Sequence, residues 1–211
     1  MSKSIKNLEW RYAVKKFDAF KTVSPKKIEI LKQAFNLTAT SYGLQPITLV
    51  IVQNKEFQQR LLPFTYNQDQ VVQASHVLVF CIQKNISTAY INAYFDRVAK
   101  IRSTEERILE PYRTALIADF AKKTKDDIAQ WATQQAYLAM GNLLTICAQE
   151  RIDACPMEGF IPEKYATVLH LDTKELHPVL VMPIGYRAED DLFSDLKKVR
   201  KKVTESVIEM Y

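Results

Sequence analysis

The chain has 211 residues, of which 47% are hydrophobic and 25% charged, which is typical of one globular domain with a full apolar core. The formal net charge of +5 suits any anionic ligand and does not by itself indicate nucleic acid. There are only four glycines and neither a GxGxxG nor a GxxxxGKS/T sequence, which excludes a Rossmann dinucleotide site and a P-loop.

Cysteines and histidines are too few and too scattered for a metal site or a disulfide framework. The three cysteines have no CxxC spacing and the three histidines lack the spacing of metal ligands, so no metal is expected. The N-terminus lacks the apolar segment of a secretory signal, and no apolar run approaches the roughly 20 residues that cross a bilayer. We therefore expect a single domain over residues 1–211, in the cytoplasm and without a membrane partner.

In chain order, the first elements are two helices separated by a basic segment. Apolar spacing predicts a helix over residues 3–12, and Ser24-Pro25 predicts the start of a second helix that ends near Thr38. Between them, Arg11 and Lys15 lie four residues apart and project together if the helix continues. Two adjacent cations indicate either a shared anion or a solvated basic face, and the sequence leaves both open.

Two buried strands follow, each preceded by a polar loop. The loop 38–46 is rich in hydroxyl groups and leads into a strand over 47–52. After a helix over 54–62, a second polar loop leads to a strand over 76–82. His76 begins this strand, where a structural hydrogen bond is its expected role.

Helical periodicity then covers residues 86–120, with a break near Ser103. Ser103 and Glu106 fit a capping box, with Ser103 as the N-cap of the second half. Asp126 or Asp127 is expected to cap the helix that follows.

The helix after this cap is the most apolar element of the chain. Residues 136–148 are almost entirely apolar, so we expect burial on all sides, at the centre of the fold or between two chains. Its polar residues form one stripe, which comprises Gln135, Asn142, Thr145 and Gln149. Buried polar groups need partners, and a ligand, a facing helix or trapped water remain alternatives for this stripe.

The C-terminal third contains two strands and a short helix, and it ends in a basic arm. Strands are predicted over 152–155 and 178–184, with a helix over 162–169 between them. Residues 190–202 run from acidic to basic. Residues 203–211 are predicted to form a strand that pairs with the sheet edge of another chain. Together the elements indicate an α+β fold in which helices dominate.

The chemistry-bearing residues favour ligand binding over nucleophilic catalysis. No GxSxG sequence occurs, and Glu158 is the only acid in a clearly constrained loop. The remaining polar groups are cations, amides and hydroxyls around an apolar helix, which suits a flat, partly apolar anion. Folding can bring Arg11 and Lys15 beside Lys198 and Arg200 as a phosphate clamp.

A set of short segments carries a family signature through its order and spacing. The segments are Arg11–Asp18, Ser41–Pro46, Asn67, Ala74–Val77, Gln135–Asn142, Pro156–Phe160, Pro183–Gly185 and Lys198–Arg200. Each is a weak signal alone, but the ordered set covers nearly the whole chain and is specific. It resembles the nitroreductase family, and most closely the branch of oxygen-insensitive NAD(P)H nitroreductases and dihydropteridine reductases.

The resemblance implies an FMN-dependent homodimer with an α+β fold. A central, mostly antiparallel sheet is wrapped by helices, and residues 190–211 form an arm whose last strand joins the sheet of the partner subunit. The implied reaction passes a hydride from NAD(P)H through the flavin N5 to a small oxidant, such as a quinone, a nitroaromatic or a pteridine-like compound. The cofactor supplies this chemistry, so no side chain is assigned as a certain catalytic group.

The resemblance also implies which residues hold FMN. Arg11, Lys198 and Arg200 are assigned to the phosphate. Lys15 is assigned to the ribityl chain or the N1/O2 side of the flavin, and Asn67 to the pyrimidine edge. The loop residues that line the ring, with a backbone N–H near N5, are Pro156, Met157, Glu158 and Gly159. The residues expected from the other subunit are Thr40, Ser41, Gly43 and Gln135.

Two positions depart from the family pattern near the flavin. Ala13 stands where many relatives have Ser, and Gln70 stands where close relatives have Lys. Less positive charge near N1/O2 then implies a somewhat lower reduction potential. Tyr42 replaces a small hydroxyl residue and narrows the expected substrate pocket, which comprises Tyr42, Phe64, Tyr66 and Phe120.

Two other functions remain as alternatives. One is an enone reductase of the same fold, which differs in its acceptor. The other is a basic, non-enzymatic module that binds nucleic acid through the chain ends, with an affinity that falls steeply with salt. This second alternative is disfavoured, because buried-type apolar residues interrupt the basic ones and no stacking platform is present. Nucleic acid is therefore not an expected partner.

Overall fold

The computed structural model describes all residues from Met1 to Tyr211 and has a four-stranded antiparallel sheet at its centre. The strands, in the order β1-β2-β4-β3 across the sheet, are β1 (Ile47–Val52), β2 (His76–Gln83), β3 (Asp153–Ala154) and β4 (Leu176–Gly185). β1 pairs only with β2, so one side of β1 is an open edge of the sheet. The four strands predicted within residues 47–184 are confirmed, with β3 shorter and β4 longer than expected.

The chain has nine α-helices. They are α1 (Lys3–Trp10), α2 (Pro25–Asn36), α3 (Lys55–Leu61), α4 (Gln70–Gln73), α5 (Thr88–Arg102), α6 (Glu106–Phe120), α7 (Lys125–Gln149), α8 (Pro162–Val168) and α9 (Val203–Ser206). The prolines at the first positions of α2 and α8 mark helix starts that the sequence predicted. No helix combines the length and the apolar character that crossing a bilayer requires.

The central strand β2 shows why the sheet lies between two helical layers. Residues His76–Ile82 are all buried, as the continuous apolar run predicted. Val77 and Val79 face a core that is shared with α3 and α8, whereas Leu78 and Phe80 face a core that is shared with α2 and α7. A third, smaller core lies between α5 and α6.

The structural role predicted for His76 is confirmed. Its Nδ1 lies 2.8 Å from the hydroxyl of Ser75. Burial and the charge of Lys55 lower the pKa of His76, which favours the neutral imidazole.

Two predictions of helix caps are wrong. Ser103 ends α5 as its C-cap in the left-handed region (φ 53°, ψ 40°), so it does not have the extended backbone of an N-cap. Glu105 precedes α6 without a side-chain cap.

The N-cap of α7 is Thr124, rather than Asp126 or Asp127. Thr124 and Asp127 form a capping box. The Thr124 hydroxyl accepts the N–H of Asp127 at 3.1 Å, and the Asp127 carboxylate accepts the N–H of Thr124 at 3.0 Å.

The long helix α7 is less buried than its apolar sequence predicted. Tyr137 is 46% exposed and Leu138 is 56% exposed. Both line an open groove along the helix surface, together with Gly141. The rest of the chain covers only one side of α7, so apolar residues on the other side face solvent.

The polar stripe of α7 finds most of its partners within the chain. The Asn142 amide donates to the carbonyl of Ala34 at 3.0 Å and to the hydroxyl of Thr38 at 2.9 Å. The Thr145 hydroxyl donates to the carbonyl of Gly141 at 3.1 Å. The end of α2 is therefore the partner of Asn142, and the facing-helix alternative is correct at that position.

The C-terminal residues do not form the strand that was predicted over 203–211. Val203–Ser206 form the single turn α9, and residues 207–211 have no regular structure. Val207 and Ile208 are 54% and 87% exposed. A strand needs a neighbouring strand for its hydrogen bonds, and the single chain provides none here.

Candidate cofactor site

The N-terminal segment Arg11–Asp18 lies across the end of the sheet formed by β3 and β4. Val14 donates its N–H to the carbonyl of Ala154 at 3.3 Å. Phe17 packs so closely on Gly185 that an added Cβ would lie 3.0 Å from its ring, so a larger residue would require Phe17 to shift. The pairing holds Arg11 and Lys15 at one end of the sheet.

Beside this segment, Arg187 is an internal, neutralised cation. Its guanidinium lies 4.4 Å from the ring centroid of Trp10 and 4.5 Å from that of Tyr12. Its Nη2 lies 2.6 Å from Oδ1 of the buried Asp153. Because a carboxylate and two aromatic rings surround it, Arg187 stabilises the fold and is not free to bind an anion.

The three predicted phosphate ligands, Arg11, Lys198 and Arg200, lie close to one another. The Lys198 ammonium donates to the carbonyl of Arg11. Burial, and then the charge of Arg200, lowers the pKa of Arg11. Burial, and then the charges of Arg11 and Arg200, likewise lowers the pKa of Lys198. None of the three makes an ion pair. Like charges that are held together without an ion-paired carboxylate favour an anionic ligand, so the cluster fits a phosphate.

Lys15 and Ala13 lie at the same end of the sheet, next to the loop 156–160. Burial raises the pKa of the Cys155 thiol, and the nearby charges of Lys15 and Arg11 oppose that rise. Ala13 forms a parallel bridge with β3. The structure therefore brings the predicted N-terminal residues to the start of this loop.

The loop 156–160 has a fixed backbone. Met157 exchanges two hydrogen bonds with Val181 of β4, at 2.8 and 3.0 Å, and is buried. The Gly159 carbonyl accepts a hydrogen bond from the Gln68 amide at 3.1 Å. Pro156 is half-buried at the start of the loop.

Glu158 is the exposed member of this loop. Its carboxylate accepts a hydrogen bond from the hydroxyl of Tyr137 at 2.6 Å, and this bond is the largest cause of the raised pKa of Tyr137. The contact joins the loop to the middle of α7.

Three predicted residues lie in the neighbouring loop 62–69. Phe64 is half-buried, and its backbone carbonyl accepts a hydrogen bond from the N–H of Ile161 at 2.8 Å. Tyr66 and Asn67 have left-handed backbones, with φ of 53° and 54°, and both are exposed. Gln70, the first residue of α4, is 8% exposed and makes no side-chain hydrogen bond within the chain.

The residues predicted to come from another subunit form a second cluster near the N-terminal half of α7. The buried Gln135 accepts the N–H of Ser41 at 2.9 Å. The Thr40 hydroxyl accepts the N–H of Gln45 at 3.0 Å. Gln135 therefore holds the hydroxyl-rich loop on α7.

Tyr42 lies over an aromatic pair in this second cluster. Its ring centroid is 6.0 Å from that of Phe120 and 6.1 Å from that of Trp131, and Tyr42 is 41% exposed. Gly43 has φ +74°, and an added Cβ would lie 2.6 Å from the hydroxyl of Tyr94. Trp131 was not predicted as a site residue, although it lies one helical turn before Gln135, the first residue of the polar stripe.

The two clusters lie towards opposite ends of α7. The charge of Arg11 acts on the buried thiol of Cys147, near the C-terminus of the helix. Gln135 lies twelve residues earlier on α7. At about 1.5 Å per residue, the two positions are about 18 Å apart along the helix. The predicted site residues therefore form two groups within one chain.

The comparisons with known proteins agree with this architecture. A family model described as "Nitroreductase family" matches residues 8–186. The chain belongs to the nitroreductase family. A relative from Staphylococcus epidermidis, named "Putative NAD(P)H nitroreductase", is 31% identical over 193 residues, which span 86% of this chain and 86% of the relative.

Two solved structures show the same fold. A nitroreductase-like protein from Exiguobacterium sibiricum, solved in complex with FMN, has a TM-score of 0.85 and 15% identity, and the match covers 100% of this chain and 98% of that one. CLA-ER, an enone reductase of gut-bacterial fatty acid saturation, has a TM-score of 0.81 and 19% identity, with 100% and 99% covered. The predicted α+β nitroreductase fold is confirmed.

Proposed function

We propose that this protein is an FMN-dependent NAD(P)H oxidoreductase that reduces a quinone, a nitroaromatic or a pteridine-like acceptor. The observation that carries the proposal is the convergence of Arg11, Lys198 and Arg200 without a carboxylate partner. These cations fit the phosphate monoester that distinguishes FMN from riboflavin. The FMN complex of the Exiguobacterium sibiricum protein, which has the same fold, supports this choice of cofactor.

In this proposal the chain binds and orients the cofactor. Bound FMN supplies two-electron transfer between a nicotinamide and an oxidant. Arg11, Lys198 and Arg200 hold the phosphate, because the chain has no glycine-rich loop for that purpose. Lys15 contacts the ribityl chain or the N1/O2 side of the ring.

The loops 62–69 and 156–160 form the wall against the flavin ring. Hydrogen bonds fix Met157 to β4 and Gly159 to Gln68, so the wall is rigid and suits a planar ring in one orientation. Asn67 bonds the pyrimidine edge. Glu158 is held by Tyr137 and stabilises the loop, so no catalytic acid is assigned to it.

Gln70 gives the N1/O2 side less positive charge than the family pattern does, and Ala13 lacks the hydroxyl donor of Ser. Neither side chain is cationic, and Lys15 is the cation assigned to that side. With only Lys15 on that side, these residues would stabilise negative charge on a bound FMN less, and we expect a lower reduction potential than in relatives with Lys at the position of Gln70.

We also infer that the functional form is a homodimer. The family resemblance assigns the second cluster to the site of a partner subunit, and its distance of about 18 Å along α7 from the cations is compatible with that assignment. That cluster comprises Thr40, Ser41, Gly43 and Gln135, with Tyr42 and Phe120 beside it. The exposed Tyr137 and Leu138 and the open edge of β1 are surfaces that a second chain covers.

The test is turnover by the purified full-length protein. NADH or NADPH is added without oxygen, followed by a quinone, a nitroaromatic or an activated alkene, with free FMN as the control. We expect the flavin absorption to bleach with NADH or NADPH and to return fastest with the quinone or the nitroaromatic. Return that is fastest with the alkene would favour the enone reductase alternative, which shares the fold of CLA-ER. A flavin that neither nicotinamide reduces would refute the proposed activity.

A further inference from the structure

A buried carboxylate, Asp191, joins the two ends of the chain beside the cation cluster. The residue is 3% exposed. Its Oδ2 accepts hydrogen bonds from the hydroxyl of Tyr12 at 2.9 Å and from the N–H groups of Lys15 at 3.0 Å and Lys16 at 3.3 Å. Its Oδ1 accepts the N–H of Phe193 at 3.1 Å.

These four donors belong to the two segments that carry the phosphate cations. Tyr12 directly follows Arg11, and Lys15 is itself a predicted ligand. Phe193 begins the stretch of chain that leads to Lys198 and Arg200. This stretch contains neither helix nor strand. Contacts at its start therefore anchor this stretch of chain at one end.

Hydrogen bonding keeps Asp191 ionised despite its burial. Burial acts to raise the pKa of Asp191, but hydrogen bonds from Phe193, Lys15 and Tyr12 outweigh it and hold the pKa below its ordinary value. A fixed negative charge close to a phosphate site opposes the binding of an anion. Attraction of the ligand therefore does not explain why a carboxylate lies here. The four hydrogen bonds that Asp191 accepts do explain it.

We propose that Asp191 is a positioning residue for the flavin phosphate. Its carboxylate binds both the backbone of residues 12–16 and the start of the C-terminal arm. It thereby fixes the position of Arg11 relative to Lys198 and Arg200. It acts through these cations and does not touch the ligand. The inference rests on the proposed FMN function.

The test compares two full-length variants, Asp191→Asn and Asp190→Asn. Asp190 is a matched control, because it is the adjacent carboxylate but is exposed and pairs with Lys16. Each variant removes one negative charge near the cations, so charge alone predicts that both bind FMN at least as tightly as the wild type. Dissociation constants are measured for FMN and for riboflavin, which lacks the phosphate.

If Asp191 positions the cations, Asp191→Asn weakens FMN binding about tenfold or more and weakens riboflavin binding by a smaller factor, because only FMN carries the phosphate. Asp190→Asn then resembles the wild type with both flavins. A second variant, Tyr12→Phe, removes one donor without changing the charge. It is expected to weaken FMN binding about threefold and riboflavin binding by a smaller factor. It decides the question if Asp191→Asn fails to fold.

Two results would overturn the inference while the proposed function stands. One is equal FMN affinity of Asp191→Asn and Asp190→Asn. The other is a loss of FMN and riboflavin affinity by the same factor, which marks a general loss of structure. Unchanged FMN affinity of Tyr12→Phe, or an equal loss of affinity for both flavins, would likewise overturn the inference. If the wild type itself binds neither flavin, the proposed function and the inference fail together.

Discussion

At the scale of single residues, the candidate site depends on charges that folding brings together from both ends of the chain. Lys198 donates to the carbonyl of Arg11, 187 positions earlier. These cations could be predicted, because basic residues and family motifs are visible in the sequence. Asp153, Arg187 and Asp191 could not, because most of their partners are 34 or more positions away and follow no local spacing.

Replacing Arg200 by Ala is expected to weaken FMN binding about tenfold and to leave the fold intact. Arg200 is exposed and makes only one hydrogen bond, to the carbonyl of Val199, so folding loses little. A guanidinium–phosphate contact is charge-assisted, so its loss lowers affinity. FMN titration and thermal unfolding measure the two effects. Lys201→Ala is the control from the same basic run, and equal affinities of the two variants would contradict the assignment.

The lowered pKa of Asp191 predicts that part of the stability depends on pH. The folded-state pKa lies below the ordinary value of 3.8, so the fold favours the ionised carboxylate. Its stabilising effect is complete above that ordinary value and is lost as the pH falls through the folded-state pKa. The difference in Tm between the wild type and Asp191→Asn should therefore be largest near neutral pH and shrink below pH 3.8. A difference that is constant with pH would refute this.

At the scale of helices and strands, apolar patterns predicted the interior and missed the ends. The continuous apolar runs of β1, β2 and β4 are strong local signals, and so is the break between α5 and α6. Thr124, Asp126 and Asp127 are all N-cap residue types, so composition alone does not select among them. The exposure of α7 was also not predictable, because an apolar helix has the same sequence whether its own chain or a partner covers it.

Replacing Thr124 by Ala should lower the Tm by about 2–4 °C, since the capping box of α7 loses the hydroxyl that accepts the N–H of Asp127. Asp126→Ala is the matched control, because Asp126 lies in the same turn and makes no side-chain hydrogen bond. Calorimetry of both variants checks this. A larger loss of Tm for Asp126→Ala would mean that the cap is assigned to the wrong residue.

At the scale of the whole molecule, a single chain leaves apolar surfaces uncovered. Apolar grooves lie beside β1, one lined by Val50, Phe57 and Leu169 and another by Phe35 and Leu49. The C-terminal residues 203–211 are exposed throughout. The strand exchange implied by the family resemblance stays a prediction, because no pattern within one chain determines what covers these surfaces.

Deletion of residues 203–211 is expected to weaken the homodimer and FMN binding together. If this tail pairs with the open edge of β1 in the partner, its loss removes backbone hydrogen bonds between the subunits. Light scattering over a range of protein concentrations measures the mass, and deletion of residues 209–211 alone serves as the control. A monomeric full-length protein, or a truncated dimer of unchanged stability, would contradict the exchange.

The identity of the bound chromophore tests the central claim most directly. The full-length protein is purified without added flavin, denatured, and the released chromophore is identified and quantified against the chain. The proposed function predicts a yellow protein that releases FMN in an amount equal to the chain and regains it on reconstitution. A colourless protein that FMN does not reconstitute would contradict it.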